Sequence, residues 1–304
     1  MLISLLKLIR WPNLLIVFIT QSIVWFHLIR QTLENQSLSS NLSTIQFLLL
    51  SLCTIIVAAA GYVINDIEDL KIDLINKPEK VIVGKHIMTK ACYSFYYMLL
   101  ATGFVIVLGL AWQLDSLPYI LLYPISAGAL HLYATHLKKT SLLGNILVSL
   151  FVAAVPLLIF LADADQVTFH QEPRVHYIIV LYASLAFLAN LAREIVKDMQ
   201  DQKGDQIFGA TTFPIRYGFK ATKYLIYFIL LSIILILSYW SFVFDISFQN
   251  SVSLSLGSAP LMFIAIGLMV YLMKIKSGEQ FGKWSLGIKL FMLFGLIFLY
   301  LQPL

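Results

Sequence analysis

Apolar residues along this chain come in long blocks rather than in a helical stripe or a strand alternation. Nine blocks stand out, roughly 12–29, 44–64, 92–114, 117–135, 142–162, 176–196, 222–244, 254–273 and 285–303. A block of about 20 apolar residues is the length of a helix that crosses a bilayer, and a helix apolar on every side is one that lipid or protein surrounds. The thinnest boundary is Gln113 to Ser116, between the third and fourth blocks. The pattern predicts an all-α, multi-pass membrane protein with nine transmembrane helices, organised as a single domain over residues 1–304.

Composition agrees. Of 304 residues, 60% are hydrophobic and 12% charged, with a mean hydropathy of +0.85. The first block has no small-residue cleavage site after it and is expected to be a retained span. Cys53 and Cys92 lie in or beside apolar blocks and give no disulfide framework. The basic residues set an orientation. With the N-terminus on the cytoplasmic side of the cell membrane and sides alternating at each span, 19 of the 21 Lys/Arg fall on the cytoplasmic side, Arg30 and Arg174 being the others. The expected topology is N-in, C-out, with the polar segments after spans two and six facing the cytoplasm.

Those two segments hold the carboxylates. Nine of the sixteen Asp/Glu sit there, and their spacing repeats. Asp66, Asp69 and Asp73 are spaced three then four; so are Asp198, Asp201 and Asp205, at a constant offset of 132 residues. Residues i, i+3 and i+7 of an α-helix share a face about 60° wide. If each helix continues beyond the lipid, each trio forms one acidic face, whose mutual repulsion a divalent cation would relieve. Mg²⁺ prefers hard oxygen ligands and completes its shell with water and substrate phosphate. The two clusters are therefore expected to bind Mg²⁺ and, through it, a diphosphate, with Asn65 as a neutral oxygen ligand. Solvated helix ends would explain one such cluster but not two with one spacing. The loop of a calcium-buffering EF-hand is absent.

At these residues the chain resembles the UbiA superfamily of intramembrane prenyltransferases. Asn65-Asp66-x-x-Asp69-x-x-x-Asp73 is similar to that family's first acidic motif, and Asp198-x-x-Asp201-x-x-x-Asp205 to its second. Arg10-Trp11-Pro12-Asn13, Asn76 to Lys80, Gly84-Lys85, and Tyr133 to Lys139 with Gly144-Asn145 extend the likeness over nearly the whole chain. The resemblance implies a UbiA-type helical bundle and Mg²⁺-dependent transfer of a prenyl group from an allylic diphosphate. Arg193-Glu194-Ile195-x-Lys197-Asp198, with Gly204-Asp205 and Gly209-Ala210-x-Thr212-x-Pro214, looks most like members that join geranylgeranyl to geranylgeranylglyceryl phosphate in ether-lipid synthesis. Lys80 and Val81 stand where many relatives have Arg and Pro.

Within that frame Asp66, Asp69, Asp198 and Asp201 are the expected catalytic metal ligands, Asp73 and Asp205 further ligands, and Lys77, Lys80, Lys138 and Lys197 candidate diphosphate contacts. Arg193 is the candidate clamp for an acceptor that carries its own phosphate; the rival role is an ion pair with Glu194 that orders the helix end. Arg10 and Asn13 are further acceptor candidates. Tyr62 and Tyr133 are candidates to face a developing allylic cation. His86, His131 and His136 are possible bases, with structural roles as the alternative. An aromatic acceptor, as in quinone, chlorophyll or tocopherol-type synthesis, is the nearest rival reading. A cation-coupled transporter is a remote one, since its carboxylates belong near the bilayer midplane. No long basic run points to nucleic acid.

Overall fold

The apolar blocks become helices, and most helices outrun their blocks. The computed structural model describes residues 2–115, 117–163, 173–248, 252–275 and 278–302. Short α1 (Leu2–Leu8) leads into α2 (Trp11–Ser22), which continues through π-helical turns at Ile23–Arg30 into α3 (Gln31–Asn35). There follow α4 (Thr44–Glu68), α5 (Leu70–Asn76), α6 (Thr89–Gln113), α7 (Leu117–Thr135), α8 (Leu143–Ala162), α9 (Pro173–Ile207), α10 (Phe213–Phe248), α11 (Val252–Lys274) and α12 (Gly278–Tyr300). Among the described residues eight helices are long and apolar enough to cross a membrane. The expected ninth falls on α11, whose described apolar stretch, Ser258–Lys274, is shorter than the other spans. The chain is an integral membrane protein of all-α architecture.

The chain divides into two compact units, Met1–Lys139 with Ile159–Gln166, and Thr140–Leu158 with Val167–Leu304. In the first, α4 packs against α6 and α7. A capping box starts α4: Ser43 Oγ accepts from the Gln46 amide, and Gln46 Oε1 accepts from the Ser43 amide at 2.8 Å. Ala60, Val63, Ile64 and Ile67 of α4 bury against Val83, Cys92, Tyr96 and Ala134. Gly103 of α6 is a close-approach glycine, because a Cβ there would overlap the Tyr123 hydroxyl of α7. That hydroxyl donates to the Leu100 carbonyl at 3.1 Å.

At the far end of this unit Asp163, fully buried, accepts from Trp25 Nε1 (2.9 Å), Ser40 Oγ (2.9 Å), the Asn41 amide (2.6 Å) and the Leu42 amide (3.2 Å). Trp25 also stacks on Phe47 with ring centroids 4.5 Å apart.

In the second unit α9 packs against α10 and α12, and α10 against α11. Thirty-five residues make α9 about 52 Å long, well beyond the ~30 Å hydrocarbon thickness. Its last turns carry the second acidic motif. Ala186, Ala189 and Gly295 leave an apolar cavity of about 30 Å³, lined also by Tyr182, Trp240 and Phe291. Lys223 Nζ donates to the Ile275 carbonyl (2.8 Å) at the end of α11, and Trp284 Nε1 to the Leu268 carbonyl (3.0 Å).

Candidate active site

The first motif straddles a joint. α4 ends at Glu68 and α5 begins at Leu70, with Asp69 between them in a helical conformation (φ −82°, ψ −5°). The backbone bonds Asp69 N to Asn65 O (2.9 Å) and Asp73 N to Asp69 O (2.8 Å) keep the helical spacing across it. Asp66 and Asp69 each acquire a cation from elsewhere in the first unit. Asp66 Oδ1 receives Arg10 Nη2 at 2.7 Å. Asp69 Oδ1 lies 2.6 Å from Lys138 Nζ, and its Oδ2 accepts from Asn65 Nδ2 at 2.8 Å. Asn65 Oδ1 is buried and accepts no hydrogen bond. Arg10 also lies over the Tyr62 ring, 4.8 Å from its centroid, and Asn13 Nδ2 donates to the Tyr62 hydroxyl at 3.3 Å. Arg10, Asn13, Tyr62, Asn65, Asp66, Asp69 and Lys138 thus form one constellation.

Other expected residues lie around it. Asp73 and Lys77 are half-buried on and after α5, and Lys80 is exposed in the turn that follows. That turn is closed by Lys85 Nζ on the Pro78 carbonyl at 2.6 Å. Tyr133 packs against the apolar cluster beneath the site. His131 Nδ1 meets the Tyr96 hydroxyl at 3.2 Å and His136 Nδ1 meets Thr135 Oγ1 at 2.7 Å, while His86 is exposed.

The second motif stays on one unbroken helix. Asp198, Asp201 and Asp205 are half-buried on α9. Asp198 Oδ2 accepts from Asn145 Nδ2 at 2.8 Å. Glu194, nearly buried, receives Arg193 Nη1 (2.9 Å) and Lys197 Nζ (2.8 Å). Behind them a polar chain runs into the interior. Arg193 Nη1 donates to Asn190 Oδ1 (3.3 Å), Asn190 Nδ2 to Ser149 Oγ (3.2 Å), and Ser149 Oγ to the Asn145 carbonyl (2.6 Å). Sequence reasoning named Asn145 and Glu194 but missed Ser149 and Asn190. The available signal was a lone amide inside an apolar span, three residues before an arginine.

Among the described residues no three His, Cys, Asp or Glu side chains converge as a metal-binding group. Helical spacing leaves successive acids about 5–6 Å apart at Cβ, and Asp66, Asp69 and Asp198 are each held by a cation or an amide. The donor chemistry nevertheless fits a hard cation: carboxylates beside a buried amide oxygen, Asn65 Oδ1, with unused acceptor capacity.

Residues 36–297 match the UbiA prenyltransferase family. The chain belongs to this family. Among its relatives, the digeranylgeranylglyceryl phosphate synthase of Methanosarcina mazei is 39% identical over 178 residues, 58% of this chain and 57% of that protein. The synthase of the same name from Hyperthermus butylicus is 30% identical over 249 residues, covering 80% and 76%. The match therefore spans little more than half of the first of these two proteins. A solved structure of digeranylgeranylglyceryl phosphate synthase in membranes superposes with a TM-score of 0.67 at 27% identity, covering 98% of this chain and 97% of that one. A UbiA homolog from Archaeoglobus fulgidus bound to GPP and Mg²⁺ shares the fold, with a TM-score of 0.59 at 13% identity over 97% and 99% of the two chains. Both acidic motifs of this UbiA prenyltransferase lie inside the matched range.

Proposed function

We propose that the protein transfers a geranylgeranyl group from geranylgeranyl diphosphate to the hydroxyl of geranylgeranylglyceryl phosphate, forming an ether bond, as a single prenyltransferase domain in the cell membrane. The relatives of that name support the reading, as do the two motifs with one spacing. The motifs would face the cytoplasm in an N-in, C-out topology. Asp66, Asp69 and Asp73, with Asn65, and Asp198, Asp201 and Asp205 would hold divalent cations. Mg²⁺ bound there would neutralise the departing diphosphate as the allylic C–O bond breaks.

The protein's own groups do the rest. Lys138 and Arg10 neutralise carboxylates of the first motif. Lys77, Lys80 and Lys197 are positioned on or near the motif helices as further contacts for phosphate oxygens. Tyr62 and Tyr133 would offer aromatic faces to the developing allylic cation, although the Tyr62 ring carries the Arg10 guanidinium.

The observation that carries the choice of acceptor is Arg193. It stands five residues before Asp198 on one helix, about 7.5 Å along the axis. Its Nη1 is held by Glu194 and Asn190, while its Nε–H is buried and donates to nothing. A phosphorylated acceptor needs a cationic site apart from the metal carboxylates; an aromatic acceptor does not.

The test is product formation by purified protein with Mg²⁺ and geranylgeranyl diphosphate, with geranylgeranylglyceryl phosphate and aromatic acids competing as acceptors. The expected product is a doubly prenylated glyceryl phosphate that disappears with EDTA. Asp69→Ala and Asp201→Ala should each lower turnover by about 10²-fold or more with membrane insertion intact. Full activity in either, or a prenylated aromatic acid as the main product, overturns the reading.

A further inference from the structure

Arg193 is aimed by residues that lie deeper in the span. Ser149 is fully buried, Asn190 is 2% exposed and Asn145 is 4% exposed, in a region where a polar group survives only if it is bonded. Their bonds run in one direction. Arg193 Nη1 donates to Asn190 Oδ1, Asn190 Nδ2 donates to Ser149 Oγ, and Ser149 Oγ donates to the backbone carbonyl of Asn145. The polarity fixes the Asn190 amide. Turned over, it would set its NH₂ against the guanidinium and leave the Ser149 hydroxyl with no donor. The second proton of Arg193 Nη1 goes to Glu194 Oε1. Nη1 is therefore fully engaged, and the guanidinium is held by one corner. The edge that remains contains the buried, unbonded Nε–H, and the Nε/Nη2 edge is one a phosphate takes with two parallel hydrogen bonds.

We infer that Asn190 and Ser149 are positioning residues that aim Arg193 at the phosphate of the acceptor. The inference rests on the proposed function, because it presumes an acceptor that carries a phosphate. Neither residue touches substrate. They act by holding Nη1 so that the opposite edge of the guanidinium is presented in one orientation.

A double-mutant cycle tests it. Asn190→Leu keeps the branched shape of the side chain and removes both bonds. It should raise the KM for geranylgeranylglyceryl phosphate about tenfold while the KM for geranylgeranyl diphosphate stays within about twofold. Asn190→Asp still offers Arg193 an oxygen and should retain most of the affinity, an outcome opposite to that of a merely structural site, where a buried carboxylate is worse than leucine. Ser149→Ala should show a smaller KM effect of the same selectivity, and Ser149→Thr should restore it. Combined with Arg193→Ala, Asn190→Leu should add nothing, since it works only through the guanidinium. If Asn190→Leu does not accumulate, the Asn190→Asp and Ser149 variants complete the cycle. Unchanged acceptor KM in Asn190→Leu, or full additivity with Arg193→Ala, overturns the inference. A wild type that leaves the phosphorylated acceptor untouched overturns the proposed function instead, and the two failures are told apart by that control.

Discussion

Arg10 is held in a left-handed backbone conformation, φ 52° and ψ 52°, which costs an ordinary residue about 1–2 kcal/mol. The compensation is visible in what the conformation achieves: the guanidinium meets Asp66 and covers Tyr62. Strain of this kind collects where geometry serves chemistry. Arg10→Gly relieves the backbone and loses the ion pair; Arg10→Ala loses the ion pair and keeps the strain. The glycine variant should therefore melt above the alanine variant, by a margin equivalent to about 1 kcal/mol. Both should lose activity to a similar degree. Thermal unfolding in detergent together with a turnover assay checks this, and equal melting temperatures would count against the strain. The carboxylates of this site were legible in the sequence because their spacing is local. Their partners were not. Arg10 lies 56 residues from Asp66 and Lys138 lies in the turn after α7, so the pairing exists only once the helices pack. Asn190 was hidden for the opposite reason: it sits inside an apolar block whose average hydropathy conceals a single amide.

Helices were the most legible part, since a block of apolar residues fixes both the presence and the approximate length of a span. Their polar extensions were less so. The second motif remains helical to Ile207, whereas the first breaks at Asp69, and nothing in the shared three-then-four spacing separates the two. The π-helical turns at Ile23–Arg30 were also illegible, because apolar composition does not encode which carbonyl an amide chooses. Pairing of elements depends on small residues. Gly103 admits the Tyr123 hydroxyl at the meeting of α6 and α7, where it reaches the Leu100 carbonyl. Gly103→Ala should push that ring aside and destabilise the protein by about 1–3 kcal/mol. Tyr123→Phe in the same background should recover part of the loss. Melting temperatures of the single and double variants decide it, and an undiminished Gly103→Ala would show that the contact is slack.

At the scale of the molecule, each of the two compact units carries one acidic motif, and α8 contributes residues to both. Most of it belongs with α9–α12, but its end, from Ile159, belongs with the first unit. There Asp163 collects Trp25, Ser40 and the amides of Asn41 and Leu42. This has a consequence for how the protein is made. When the ribosome has delivered residues 1–139, the first four apolar blocks and the whole first motif are present, yet those four donors have no carboxylate to meet. Buried polar groups left unpaired cost about 1–3 kcal/mol each, so the nascent amino-terminal half is an unfinished intermediate. A fragment of residues 1–163 should resist protease in membranes better than one of residues 1–139, and Asp163→Ala should erase the difference. Equal resistance of the two fragments would assign the carboxylate no part in assembly. With the longer fragment the more resistant, the emerging amino-terminal half stays open in the membrane until its fifth apolar block arrives, and that interval is the one in which quality-control proteases find it.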